Sequence, residues 1–106
     1  MERIKRIEKM EHCLDVSRQA IDSLEEAFTA YESVQTEYRE LCDYYESGTW
    51  MEDYEADEAG EIPSEIKRGV LSEDAVYSLI TDNHELIVRM MKVITKELEN
   101  QMGVGD

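Results

Sequence analysis

Apolar residues recur at helical spacing through residues 2–46, a segment that contains neither Gly nor Pro. With Ile7 at heptad position a, they fill three neighbouring columns, a, d and g. The columns read Ile7, Leu14, Ile21, Phe28, Gln35 and Cys42 at a; Met10, Ser17, Leu24, Tyr31, Tyr38 and Tyr45 at d; and Cys13, Ala20, Ala27, Val34 and Leu41 at g. Such a face is broader than a two-stranded seam and is typical of a helix packed in a bundle. The pattern predicts one long helix over 2–46.

A helix of this length has a consequence for assembly. At about 1.5 Å per residue it would span about 67 Å, whereas a compact chain of this size has a radius of gyration of about 13 Å. The rest of the chain is too short to cover it. We therefore expect either a break without a visible breaker, or a helical hairpin completed by a second copy, and we favour the homodimer.

The next segment, residues 47–72, forms an acidic connector that holds the only Trp and the only Pro of the chain. Gly48 suits a left-handed helix end. Thr49 and Glu52 then have the spacing of a capping box. They predict a short helix over 50–59.

The C-terminal apolar pattern predicts a helix over 73–101, with Ser72 as its N-cap. Near Asp82 a second helix-start signal lies inside this pattern. We expect either a kink there or two helices, about 73–81 and 83–101.

The predicted fold is therefore a single all-α domain, residues 1–106. It is a helical bundle with a long N-terminal helix, a short middle helix that stops at Gly60, and a C-terminal helix broken or kinked near Asp82. The tail, residues 102–106, should fray.

Charge and cysteine content exclude several classes of function. The net charge is -15, from 26 acids and 11 bases, which disfavours binding to nucleic acid or to an anionic membrane. No apolar run is long enough to span a bilayer, and the N-terminus lacks the apolar stretch of a signal peptide.

Cys13 and Cys42 would lie about 44 Å apart on the predicted helix, too far for a disulfide within one chain. We expect small buried thiols in a cytoplasmic protein.

A calcium loop is the first candidate for a metal site. Asp53, Glu55 and Asp57 alternate like the opening of such a loop. Its sixth and twelfth positions, however, are Glu58 and Ser64 instead of Gly and Glu. A solvated acidic face explains the same residues more simply.

Zinc and catalytic sites have weaker signals. His12, Cys13, Cys42 and His84 form no pair with ligand spacing. The sequence has no glycine-rich phosphate loop and no nucleophile beside an oriented base. We expect no cofactor and no metal. An enzyme would need a cleft on which four polar side chains converge: Asp53, Asp57, Asp82 and His84.

Aromatic residues cluster around the connector. Trp50 and Tyr54 share one side of the short helix at (i, i+4), close in sequence to Tyr44 and Tyr45. They form either an exposed interaction patch or a packing surface that closes the end of the bundle, and we favour packing.

The connector also carries a family resemblance. The runs W-x-x-D-Y-E-A-D-E-A-G, P-x-x-x-K-R-G-V-L-S-E-D-A-V-Y and T-D-N, together with an opening R-I-E-x-M-E, resemble a family of short, mostly bacterial proteins known as domain of unknown function 4298. The matching residues are Arg6 to Glu11, Trp50, Asp53 to Gly60, Pro63, Lys67 to Tyr77 and Thr81 to Asn83. The resemblance implies a small helical intracellular protein and brings no activity or substrate. It also suggests that the two connector blocks face each other, with Lys67 and Arg68 pairing with Asp53, Glu55 or Asp57.

These observations lead to one functional hypothesis and two alternatives. The protein is expected to be a non-enzymatic, acidic interaction module that self-associates as a homodimer through its long helices and binds an unknown protein partner at the connector. An acidic decoy that mimics nucleic acid and occupies a basic protein is the alternative; a metal-dependent enzyme ranks below it. The candidate partner surface comprises Trp50, Asp53, Tyr54, Asp57, Lys67 and Arg68.

Overall fold

A computed structural model describes residues 1–103 of the chain. This part contains four α-helices and one 3-10 turn, and no strand. The elements are α1, Glu2–Ser33; α2, Gln35–Glu46; α3, Gly48–Glu58; the 3-10 turn, Gly69–Leu71; and α4, Ala75–Met102. The all-α prediction, with a long N-terminal helix, a short middle helix and a C-terminal helix, is confirmed. The described part of the chain forms two compact units, Met1–Arg39 and a second that begins at Glu40.

The N-terminal helical segment is interrupted at Val34, whereas we predicted one helix over 2–46. The Val34 backbone has φ -106° and ψ 7°, and its N–H donates to the Tyr31 carbonyl at 3.3 Å. The Gln35 side-chain amide also donates to that carbonyl, at 3.0 Å. Helical bonding resumes at once, since the Tyr38 N–H donates to the Val34 carbonyl at 2.9 Å. A β-branched residue has a modest helix propensity, and a side-chain donor that competes for a backbone carbonyl favours such a turn.

The junction before α3 differs from the predicted one in two respects. Gly48 is the first residue of α3 and does not have a positive φ, so it is not a left-handed helix end. Thr49 lies inside the helix, so the predicted capping box is absent. Ser47 separates the two helices with an extended backbone, φ -83° and ψ 159°, and its hydroxyl donates back to the Tyr44 carbonyl at 2.7 Å. The extended backbone of Ser47 turns the chain here, and no glycine with a positive φ is involved.

The end of α3 confirms the predicted role of Gly60. Gly60 has φ 75°, and its N–H donates to the Asp57 carbonyl at 3.0 Å. The Glu61 N–H donates to the Ala56 carbonyl at 2.9 Å. These two bonds form a Schellman motif, which requires a left-handed residue at this position and therefore favours glycine.

The C-terminal helix is continuous, which corrects the predicted alternative of two helices separated near Asp82. α4 runs from Ala75 to Met102 without interruption. It contains no Gly or Pro, and Asp or Asn alone lowers helix propensity by only tenths of a kcal/mol. The helix begins at Ala75 with Asp74 at the N-cap position, two residues later than the predicted start with Ser72 as N-cap. The Ser72 hydroxyl oxygen still accepts the Ala75 N–H at 3.2 Å and so contributes to the start of the helix.

The helix extends one residue beyond the predicted limit of 101, and Gly103 ends it with φ 71°. The remainder of the tail predicted to fray, residues 104–106, lies outside the described residues.

Buried side chains are concentrated at the connector. Within residues 1–103 the buried hydrophobic side chains are Trp50, Leu71 and Val76. They belong to α3, the 3-10 turn and α4, and the 3-10 turn packs against both helices. Both cysteines are free, Cys13 exposed and Cys42 half-buried, so the expectation that both are buried is wrong. No helix in the described part of the chain is both long and apolar enough to cross a membrane.

Candidate functional site

Trp50 organises the connector. Its side chain is only 9% exposed, and its indole N–H donates to the Val70 carbonyl at 2.9 Å. Tyr54, one turn later on α3, stacks on the indole with ring centroids 5.2 Å apart and planes inclined by 16°. Tyr45 meets it edge-on, with centroids 5.2 Å apart and planes inclined by 70°. Trp50 thus packs within the chain and joins α3 to the 3-10 turn.

Two phenol hydroxyls, those of Tyr44 and Tyr54, bind carboxylates in this region. The Tyr44 hydroxyl donates to Asp53 at 2.6 Å, and the Tyr54 hydroxyl donates to Glu73 at 2.8 Å. Desolvation, then the hydrogen bond and charge of Asp53, raise the pKa of Tyr44 to about 12. The hydrogen bond to Glu73, followed by desolvation and nearby carboxylates, raises the pKa of Tyr54 to about 12. At neutral pH both phenols are therefore protonated hydrogen-bond donors.

Arg68 holds the loop between α3 and the 3-10 turn. Its Nε lies 3.2 Å from Asp57 Oδ1, one of the pairings that the resemblance suggested. Its Nη1 donates to the carbonyls of Ile62 and Pro63 at 3.2 and 3.4 Å. Lys67, the neighbouring base, forms no ion pair within the described residues. One arginine thus connects the C-terminal half of α3 to the loop that follows it.

The carboxylates of the connector do not form a metal centre. No group of three or more His, Cys, Asp or Glu side chains in residues 1–103 is arranged to hold a metal ion. Asp53 and Asp57 instead bind Tyr44 and Arg68. Asp82 and His84 likewise belong to no such group in residues 1–103.

Most of the acid on the connector faces water. Between Arg39 and Lys67 there are ten acids and no Lys or Arg. Three of them lie on α2 and seven on the connector. Eight of the ten are exposed, and Asp53 and Asp57 are half-buried. The site thus consists of a small aromatic core and the Arg68 contact, with exposed carboxylates around them.

Sequence reasoning missed the contacts that join distant residues. The acceptor of the Trp50 indole is a backbone carbonyl 20 positions away, and a carbonyl has no signature in a sequence. The general requirement that a buried indole N–H finds an acceptor was the one available signal. The Tyr54–Glu73 bond spans 19 positions and depends on how α3 approaches the start of α4.

The model of one family, described as a domain of unknown function (DUF4298), matches residues 7–93. This range includes the connector with all of its contacts. Neither a curated protein nor a solved structure matches the chain. The match spans most of the 106 residues, and the chain therefore belongs to the DUF4298 family.

Proposed function

We propose that the protein is a non-enzymatic helical interaction module that self-associates through α1. The observation that supports this most is the uncovered apolar face of that helix. None of the described residues of α1 is buried. Its a and d positions are exposed as follows: Ile7 50%, Met10 51%, Leu14 61%, Ile21 54%, Leu24 64% and Phe28 52%. Apolar faces of this extent are sites of association in soluble proteins.

The length of α1 favours a long, regular partner. A helix of 32 residues extends over about 48 Å. Its a and d residues lie at intervals along this whole length, so a small partner would cover only part of them. A second copy presents the same spacing over the same distance and can pack knobs into holes throughout. Self-association therefore covers the most apolar surface.

The connector supplies a second, different surface in this proposal. Its aromatic core and Arg68 fix the backbone, while five of its seven carboxylates are exposed. A fixed array of negative charge attracts basic partners and repels acidic ones. We propose these exposed carboxylates as the contact site for a protein partner, with the half-buried Asp53, Tyr54 and Asp57 beside them.

The same exposed carboxylates support a second candidate, a decoy that occupies the nucleic-acid site of a basic protein. Both candidates bind a partner through charge, so both lose it as salt rises, whereas apolar self-association persists. They differ in the identity of the partner, since only the decoy requires that the released protein bind nucleic acid. A capture experiment with the full chain at about 0.05 and 0.5 M NaCl identifies the released protein. Release of a nucleic-acid-binding protein by salt would favour the decoy.

Sedimentation velocity tests the proposed self-association. Leu14→Asn and Leu24→Asn place a polar amide at half-exposed a and d positions, and together they should convert a dimer into a monomer. Val16→Asn is the matched control, because Val16 is 47% exposed but lies outside the a, d and g columns. The control should sediment like the wild type. A wild-type chain that remains monomeric at about 0.1 mM, well above the micromolar range of modest affinities, would contradict the proposal.

A further inference from the structure

Charge is distributed unevenly along α1. Residues 2–18 contain five bases and four acids. Residues 19–33 contain four acids and no base. The acids of this second half are Asp22, Glu25, Glu26 and Glu32, and all are exposed. The helix is therefore positive or neutral at its start and negative at its end.

We infer that two copies of α1 pair antiparallel, an inference that rests on the self-association proposed above. An antiparallel pair sets the acidic half of each helix beside the basic half of the second copy. A parallel pair sets the two acidic halves at the same height, where their charges repel over a distance comparable to the Debye length of about 8–10 Å. The helix dipoles act in the same sense, since each negative C-terminus then lies beside a positive N-terminus.

The charged residues next to the apolar columns also select a register. In an antiparallel pair, residues at heptad position a lie level with residues at position d of the second copy. One such alignment places Ile7 opposite Leu24 and Met10 opposite Ile21. In this alignment Glu11, at position e, faces Arg18 of the second copy, and symmetry repeats the contact.

Shifting the helices by one heptad removes this complementarity. In one direction Glu11 faces Glu25 of the second copy, and Arg18 faces its own counterpart. In the other direction Glu11 faces its own counterpart. Within one chain Arg18 lies 2.9 Å from Asp22, with both side chains 61% exposed. Such an exposed pair contributes little, so Arg18 remains able to bind a second carboxylate.

Distances between spin labels test the orientation in the full chain. The background is Cys13→Ser/Cys42→Ser, and the label is attached at Lys5→Cys, on the outer side of the helix. In the antiparallel register, residue 5 is level with residue 26 of the second copy, so the two labels lie roughly 32 Å apart along the axis. In a parallel pair they lie about 20 Å apart, which is about two helix diameters.

A label at Asp15→Cys is the matched control. Residue 15 lies near the centre of the antiparallel pair, so its two labels are about 20 Å apart in either orientation. A long distance at position 5 with a short one at 15 is expected. Short distances at both positions would refute the antiparallel orientation and keep self-association. No measurable distance at either position, with monomeric sedimentation, would refute self-association itself.

Charge exchange tests the register independently. Glu11→Arg and Arg18→Glu should each raise the dissociation constant of the dimer by about tenfold, from two like-charge contacts per dimer. The double variant should restore the wild-type value. In a parallel pair Glu11 faces Arg6 of the second copy, and Arg18 faces Cys13. Arg18→Glu would then have little effect, and the double variant would stay as weak as Glu11→Arg, which would overturn the inference.

Discussion

Replacing Trp50 by Ala should destabilise the connector more than any other single truncation there. The wild-type side chain is 9% exposed, so the substitution removes nearly all of a large buried ring. It also leaves the Val70 carbonyl without its donor and removes the ring contacts of Tyr45 and Tyr54. Substitutions of this kind lower the free energy of unfolding by about 3–5 kcal/mol. Trp50→Phe keeps an aromatic ring but loses the donor, for which we expect about 1–2 kcal/mol.

Urea unfolding followed by circular dichroism measures these effects. Trp50 is the only tryptophan of the chain, so fluorescence would lose its probe in both variants. With a slope of about 1.5 kcal/mol/M, a loss of about 3 kcal/mol lowers the unfolding midpoint by about 2 M. All proteins must be compared at one concentration, because self-association makes apparent stability depend on concentration.

Met51→Ala is the matched control, since Met51 is the next residue of α3 and is 50% exposed. Its midpoint should shift much less than that of Trp50→Ala. Equal shifts for the two alanine variants would refute the view that Trp50 holds the connector together. A Trp50→Phe variant as stable as the wild type would refute the contribution of the bond to Val70.

Three further predictions concern the connector. Arg68→Glu should lower the free energy of unfolding by about 1–3 kcal/mol, since it removes the ion pair and carbonyl contacts. Lys67→Glu, the same charge change without an ion pair in the described structure, should stay within about 0.5 kcal/mol, and equal urea midpoints would contradict the role of Arg68. Gly60→Ala should cost about 1–2 kcal/mol because φ is 75°, whereas Gly48→Ala should be neutral or stabilising; thermal melts that shift equally downward would contradict this. The raised pKa of Tyr54, about 12 against an ordinary value of 10.0, means that its contribution to stability is complete below about pH 10 and is lost as the pH rises through about 12. The stability difference between wild type and Tyr54→Phe should therefore vanish between those pH values, and a difference that grows with pH would refute the bond.

The helices could be predicted from sequence because the spacing of apolar residues indicates the apolar face of each helix. The interruption at Val34 could not, because it depends on one backbone conformation and on the amide of Gln35. The continuity of α4 through Asp82 could not be predicted either. A capping-box spacing inside a helix resembles a helix start, and only the surrounding apolar residues decide between the two.

At the connector, the sequence indicated which residues make contacts better than it indicated the residues that they contact. The (i, i+4) spacing placed Trp50 beside Tyr54, and the structure stacks these rings. The bond from Tyr44 to Asp53 crosses the turn at Ser47, whose extended backbone no local signal indicated. Contacts across a turn depend on the backbone conformation of the turn. The predicted left-handed Gly48 is a different conformation from the extended Ser47 of the structure.

Uncharged hydrogen-bond donors can bind carboxylates in this acidic region without a base. An ion pair requires a base, and bases are scarce there, but Tyr44 and Tyr54 bind Asp53 and Glu73 without one. A phenol carries no net charge, so its bond to a carboxylate is screened by salt much less than the contact of Arg68 with its carboxylate partner. The destabilisation caused by Tyr44→Phe should therefore be similar at about 0.05 and 0.5 M NaCl, whereas that caused by Arg68→Glu should shrink as salt screens the new repulsion. Equal losses of both effects in salt would mean that the phenol bonds act through charge in the same way as the arginine.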